Sequence, residues 1–374
     1  MLLVAAVVFV DTTFYAVIAP LLPSLAHELH LSKLSAGVLT ASYAAGIMLG
    51  SVPSGILAAR AGPKLAMIVG LGLLAGSTVA FAFLHSAPAL DGARLIEGIG
   101  GACSWSGGLG WIVAETEPGR RGAVMGRALA AAIVGSLFGP VIGSLATAIG
   151  RPGAFSLVVV AALALLAQTA RLPGRRVDSR QGARELLASL RAPRMAIAVW
   201  LVMLPAIASG ALTVLAPLRL HRFGAGAAAI GAIFLVAAGI EALVAPATGL
   251  LSDRRGRLLP LRLGLLCTAI LLASFELPRS AAVLGVLIVA AIAALGTFWA
   301  PAMAMLSDAA EHWGLDHSLG AALMNLAWAL GQIAGAGAGG AIAKSAGDTV
   351  PMAATALLCL ITLAATSRPR ALDT

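Results

Sequence analysis

The chain has 374 residues, of which 60% are hydrophobic and only 11% charged, and its mean hydropathy is +0.97. A soluble domain carries about 25% charged residues to solvate its surface, so a soluble enzyme, a disordered chain and a collagen-like repeat are excluded and an integral helical membrane protein remains. The net charge of +9 says nothing about nucleic acid until it is located, because membrane proteins concentrate Lys and Arg in cytoplasmic loops. Cys103, Cys267 and Cys359 lie far apart in apolar runs, with neither disulfide nor metal spacing. No basic segment precedes the first apolar run, which Asp11 interrupts, so a cleaved signal peptide is not expected.

A helix crossing ~30 Å of hydrocarbon needs about 20 largely apolar residues. Such runs occur at roughly 1–23, 35–58, 65–85, 89–113, 123–149 and 153–171, and again at roughly 195–219, 228–251, 260–277, 281–305, 318–343 and 349–366. The longest polar stretch, Arg171–Arg194, separates the sixth run from the seventh. The expected fold class is therefore all-α, with twelve transmembrane helices in two six-helix bundles at 1–171 and 195–374, joined by a basic linker at 172–194. Within that linker, Arg184–Leu190 fits a short amphipathic turn on the membrane surface.

Of the 25 basic residues, Lys33, Arg151, Arg219, Arg222, Arg279 and Lys344 fall on one side of this topology, Arg94 falls inside a span, and the other eighteen fall on the side of the termini. The bias predicts cytoplasmic termini and a cytoplasmic central loop in the inner membrane. It explains the surplus charge by topology and lipid contact, without nucleic acid. The halves also repeat at an offset of 194: Pro23 with Pro217, His27 with His221, Gly37 with Gly231, Gly55 with Gly249, Arg60 with Arg254 and Gly62 with Gly256. An even number of spans per half makes this a parallel repeat about an axis along the membrane normal, which is a transporter architecture.

Span one carries Asp11-Thr12 followed by Pro20 and Pro23; the next loop reads Gly55-Ile-Leu-Ala-Ala-Arg60-Ala-Gly62-Pro-Lys64. Span four reads Arg94-Leu-Ile-Glu97-Gly98-Ile-Gly100, and span five Gly135-Ser-Leu-Phe-Gly139-Pro140-Val-Ile-Gly143. The loop after span eight reads Gly249-Leu-Leu-Ser-Asp253-Arg254-Arg255-Gly256-Arg257. In these motifs, and over nearly its whole length, the chain resembles the major facilitator superfamily and its twelve-span drug:proton antiporter branch. The resemblance implies two pseudo-symmetric bundles that export a small organic compound in exchange for a proton. It also implies gating roles for Gly55, Arg60, Gly62, Gly249, Asp253, Arg254 and Gly256, and a hinge and seal at the bundle interface for Gly135, Gly139, Pro140 and Gly143. Three departures stand out. Ala59 and Pro63 occupy places where the loop signature has an Asp and a basic residue, Glu97 replaces a usual Gln, and the family's basic N-terminal tail is missing, which leaves a start upstream of Met1 open.

Four ionisable side chains sit well inside spans: Asp11, Arg94, Glu97 and Glu241. Each costs about 2.5–3.5 kcal/mol or more at a helix centre. Ten residues precede Asp11, about 15 Å of helix, which places it near the midplane. Desolvation favours a neutral carboxyl and a nearby cation favours an ionised one, and exchange of a proton for a substrate needs both states; a carboxylate hydrogen-bonded for structure is the alternative. Arg94 and Glu97 share a helix face, either neutralising each other or acting on Asp11 across a cavity. Glu241 is open between gating, packing and proton carriage. Asn325, Trp328 and Gln332 recur at i, i+3 and i+7 in span eleven, and with Thr12 beside Asp11 they are candidates for substrate contact, helix packing being the plainer reading.

No phosphate-binding loop, nucleophile elbow or metalloprotease motif is present, so an enzyme, a metal centre and ATP hydrolysis are not expected. Gly335-Ala-Gly337-Ala-Gly339-Gly340 satisfies a dinucleotide fingerprint but lies mid-helix with no strand before it. The expectation is a secondary carrier, monomeric in the bilayer, with a small-molecule substrate, no cofactor and the proton as coupling ion. A carrier of sugars or other polar metabolites, and a non-transporting sensor or scaffold of the same fold, are the alternatives.

Overall fold

The structure is a computed structural model, and residues 2–115, 121–173, 181–315 and 317–367 are described. Among them every regular element is a helix. Span one is two pieces, α1 (Leu2–Ala16) and α2 (Ile18–Glu28). The break has a sequence cause: Pro20 has no N–H, and its ring crowds the carbonyl of Ala16. Then follow α3 (Lys33–Ala61), α4 (Pro63–Phe83), α5 (Ala87–Glu115), α6 (Arg121–Ile149) and α7 (Arg151–Arg171). The linker holds a short α8 (Ala183–Ser189), whose Leu186 is buried in the protein while Leu187 stays exposed, and Gln181 just before it donates to Gly314 O. The bond to Gly314 docks this segment on the second half.

The second half comprises α9 (Pro193–Arg222), α10 (Ala227–Arg255), α11 (Leu258–Ala273), α12 (Ala281–Trp313), α13 (His317–Gln332), a π-helical turn (Ile333–Ala338), α14 (Gly339–Ala346) and α15 (Thr349–Thr366). The last three pieces before α15 continue one another as span eleven. Twelve helical rods result, and ten of them are long and apolar enough to cross a membrane among the described residues. The other two are α11, with 16 residues, and α5, which carries Asp91, Arg94 and Glu97.

The packing repeats as the sequence does. In the first half α5 lies against α3 and α4, α1 against α6, and α4 against α7; in the second, α12 lies against α10 and α11, α9 against α13, and α11 against α15. The turn after α3 is made by Gly62 at φ 100° and its counterpart after α10 by Gly256 at φ 81°, a left-handed backbone that glycine adopts without a Cβ penalty. Across the halves, α3 meets α13, the π-turn and α14, and α6 meets α10. Small residues permit this approach: a Cβ on Gly37 would strike Ala336 O, and one on Gly231 would strike Ser144. Lys33 of the first half pairs with Asp348 of the second, which also holds Arg222. These bonds all lie at the end of the molecule opposite its termini. Toward the terminal end, α3 borders an open apolar groove of about 460 Å³ along Val52, Pro53, Ile56, Leu57, Arg60 and Ala61.

Candidate functional site

The site is built on a glycine contact. A Cβ on Gly46 would strike Leu95 O, and one on Gly98 would strike Tyr43 O, so α3 and α5 touch backbone to backbone. That approach brings Tyr43 over the polar stripe of α5, on which Glu97, Gly101 and Trp105 recur at i, i+4 and i+8. The same stripe faces α1 at Asp11, because a Cβ on Gly101 would lie 3.1 Å from Asp11 Oδ1 and 2.8 Å from the Tyr43 hydroxyl.

Asp11, Arg94 and Glu97 are each 1% exposed. Trp105 Nε1 donates to Asp11 Oδ2 at 3.1 Å, and the Tyr43 hydroxyl donates to the same oxygen at 3.5 Å. Asp11 Oδ1 is buried with no hydrogen-bond partner among the described residues. Arg94 Nη1 donates to both oxygens of Glu97, at 3.0 and 2.9 Å. It also reaches Phe14 O at 3.5 Å, and Nη2 reaches Tyr15 O at 3.4 Å. Those carbonyls close α1 just before its break, so Arg94 fastens span four to the kink of span one. Its guanidinium carbon lies 5.0 Å from the centroid of the Tyr43 ring, within cation–π range.

Beyond the ions stands an aromatic group drawn from both halves. The ring centroids of Tyr15 and Tyr43 are 4.8 Å apart, and Trp328 of α13 stands edge-on to them at 5.4 and 6.1 Å.

The structure thus brings together Asp11, Arg94, Glu97 and Trp328, and leaves the other expected site residues elsewhere. Thr12 turns its hydroxyl back to Val8 O of its own helix, the usual fate of a helical threonine. Gln332 donates to Ser209 of α9 at 2.9 Å and is taken up inside the second half. Asn325 Nδ2 is buried without a partner among the described residues. Glu241 is half-buried against Gly296 of α12, within electrostatic reach of Tyr15.

The glycines of span five also need correcting. Cβ atoms on Gly135, Gly139 and Gly143 would strike Phe9 O, Ala16 and Val17 O, so this face packs against span one of its own half rather than sealing the bundle interface. The interface is made from the adjoining face of α6. There Ser144 donates to Ala227 O at 3.2 Å, and Pro140 O lies beside Gly231. Of the loop residues, Gly55 is buried, Arg60 and Arg254 are exposed, and Gly62 and Gly256 form the turns. Gly249 and the Asp253 side chain lie outside the described residues, although α10 runs through both positions.

Sequence reasoning gave no role to Tyr43, Tyr15, Gly101 or Trp105. The signal for Gly101 and Trp105 was their four-residue recurrence from Glu97. Tyr43 follows from the Gly46 contact, which is a tertiary fact.

Two pseudo-repeated helical halves of long apolar helices around a buried ionic and aromatic cluster define a multi-pass membrane protein. The chain belongs to the Major Facilitator Superfamily, which it matches over residues 4–312 and 206–372. It is 29% identical over 342 residues to the synaptic vesicular amine transporter of Bos taurus, covering 87% of this chain and 64% of that protein; the chain therefore spans under two thirds of that relative's length. In fold it resembles the E. coli xylose transporter XylE in a partially occluded inward open conformation, with a TM-score of 0.76, 17% identity, and coverage of 97% of this chain and 95% of that one. It is similarly close to the human organic anion transporter MFSD10, with a TM-score of 0.75, 17% identity and 97% coverage of both.

Proposed function

We propose that the chain exports a small organic cation, an amine or another lipophilic base, in exchange for a proton. The observation that carries this reading is Asp11: a buried carboxylate with one oxygen unpartnered, in the same cluster as an ion pair and an aromatic group that spans both halves. Its free oxygen can accept a proton or the N–H of an amine, and tyrosine and tryptophan rings favour a cation over their faces. One carboxylate cannot hold both ligands at full affinity, so binding of either weakens the other. Alternating access turns that competition into exchange. With the halves joined at the end opposite the termini, the site exchanges with the terminal side; with that end parted, it exchanges with the other. The excess of basic residues at the terminal side orients that side to the cytoplasm. Sequence similarity to a transporter named for amines supports the same substrate class.

The test is proton-driven flux in inverted membrane vesicles, comparing wild type with Asp11→Asn across lipophilic amines, neutral drugs and sugars. The reading expects amines to dissipate an imposed pH gradient in wild type and not in the variant. Flux that persists in Asp11→Asn would move coupling to Glu97 or Glu241. Flux of sugars alone would make this a polar-metabolite carrier, and binding without flux a sensor.

A further inference from the structure

We infer that Glu97 sets the charge of what the site accepts: the buried cluster is one positive charge short, and a single proton or a monocation completes it. This rests on the reading of the Asp11 cluster as the transport site. The cluster contains two carboxyl groups, Asp11 and Glu97, and one cation, Arg94, all buried. The terminal nitrogens of the cation are committed, while Nε is buried without a partner among the described residues. Nη1 spans both oxygens of Glu97, and the remaining bonds go to the carbonyls of Phe14 and Tyr15. Asp11 receives only neutral donors, the Trp105 indole and the Tyr43 hydroxyl.

No neighbouring element makes up the deficit among the described residues. From α1 the cluster is faced by Tyr15, from α3 by Tyr43 and from α13 by Trp328, none of which is cationic. From α10, Glu241 acts electrostatically on Tyr15; it is another acid, so it supplies no positive charge to the three bonded ions. The cations Lys33 and Arg222 are held by Asp348 at the end opposite the termini, and Lys64 by the carbonyls of Ala170 and Leu172. A buried charge without a partner is strongly disfavoured, so with Arg94 spent on Glu97 the cluster takes up one further positive charge. A glutamine at 97 would release Arg94. The guanidinium would then stand one tyrosine away from an ionised Asp11, the cluster would balance without further charge, and the demand for a proton or a cation would vanish.

The experiment is infrared difference spectroscopy of the full chain in nanodiscs near neutral pH, read at the protonated-carboxyl stretch, together with proton release on addition of tetraphenylphosphonium. Wild type minus Asp11→Asn is expected to contain one protonated-carboxyl band, which tetraphenylphosphonium abolishes with release of a proton. Glu97→Gln is expected to lose the Asp11 band and the proton release. The double variant Arg94→Ile with Glu97→Ala removes both halves of the ion pair, leaves Asp11 still short of a cation, and is expected to keep the band. An Asp11 band that survives in Glu97→Gln, or that is absent from wild type or from the double variant, overturns the assignment. None of these readings needs flux. Expected spectra with no proton-driven flux would therefore sink the transport reading and leave the charge assignment standing.

Discussion

At the same depth of the same span, the two halves are filled with opposite chemistry. The helices α5 and α12 begin at Ala87 and Ala281, an offset of 194. At that offset Arg94 and Glu97 correspond to Ile288 and Ala291, Asp11 to Pro205, and Tyr43 to Ala237. Ile288 and Ala291 are 0% exposed, their charged counterparts 1%. The architecture thus closes equally well over an apolar filling, and the fold does not require ions there. Each ionisable group at such a depth costs about 2.5–3.5 kcal/mol on insertion scales. The first half bears that cost where the second avoids it, so the buried ions are a property of the first half alone at this depth. The second half contributes Trp328 as a wall.

The largest expected effect comes from erasing this difference. Arg94→Ile combined with Glu97→Ala gives the first half the residues of the second. Replacing a buried ion pair by apolar groups is often neutral or stabilising by about 1–4 kcal/mol, so the double variant should fold with an unchanged or raised Tm. Although Asp11 keeps its demand for a proton, coupled flux should fall by about two orders of magnitude or more, a loss of at least ~2.7 kcal/mol. The loss follows from removing the Arg94 link between span four and the kink of span one. Arg94→Ile alone should behave differently. It strands Glu97 and releases the kink of span one, and it should cost about 3–5 kcal/mol of stability. Thermal unfolding in detergent beside vesicle flux separates these outcomes, and a double variant less stable than the single one would show that the pair is structural.

A smaller effect is expected from the glycine contact that assembles the site. Gly46 and Gly98 correspond to Ile240 and Ile292 in the second half, so the backbone contact between α3 and α5 belongs to the first half. Gly98→Ala places a methyl against Tyr43 O and should cost about 1–3 kcal/mol, as overpacking does. Gly76→Ala, with nothing within 4 Å of the added atom, should leave the midpoint of thermal unfolding unchanged. Equal effects at the two positions would mean that helix propensity, rather than the close approach, governs both.

Much of this was legible before any coordinates. Charges are so rare in an apolar chain that Asp11, Arg94 and Glu97 announced themselves, whereas span one was expected as one run and its break, which Pro20 explains, was not foreseen. The glycines at 62 and 256 marked matching turns, which came out with matching backbone angles. Hydropathy failed where a helix leaves the membrane. Span ten was expected to end near 305, yet α12 continues to Trp313. There Arg257 pairs with Asp308, and Gly314, at φ 80°, caps the helix to Ala310 O and Glu311 O. A polar helical turn and a polar loop look alike to a hydropathy window. The aromatic partners were hidden for another reason: Tyr15, Tyr43 and Trp328 are distant in sequence, and any aromatic residue in a membrane helix is more simply read as packing. Nor could the Gly135, Gly139 and Gly143 motif say which neighbour its face would meet.

The smallest effect concerns how the unlike halves hold together. Lys33 opens α3, and its counterpart Ala227 opens α10. Both positions bond across the interface, one by its ammonium to Asp348 and the other by its carbonyl to Ser144. Lys33→Ala removes the ionic bond and leaves the neutral one. Asp348 keeps Arg222, so no buried charge is stranded, and Lys33 is 27% exposed, so solvent screens the pair. A partly exposed ion pair is worth about 0.2–1 kcal/mol, which at 1.4 kcal/mol per tenfold shifts the balance between closed and parted ends by about fivefold at most. The probe is thiol labelling of Ala41→Cys, a position packed against Gly337 across the same interface, in a chain whose Cys103, Cys267 and Cys359 are replaced by serine. Lys33→Ala should speed labelling by up to that factor, and Ser144→Ala should speed it comparably if the neutral bond carries an equal share. Labelling unchanged by Lys33→Ala would leave the glycine contacts at Gly37 and Gly231 as what keeps this end closed.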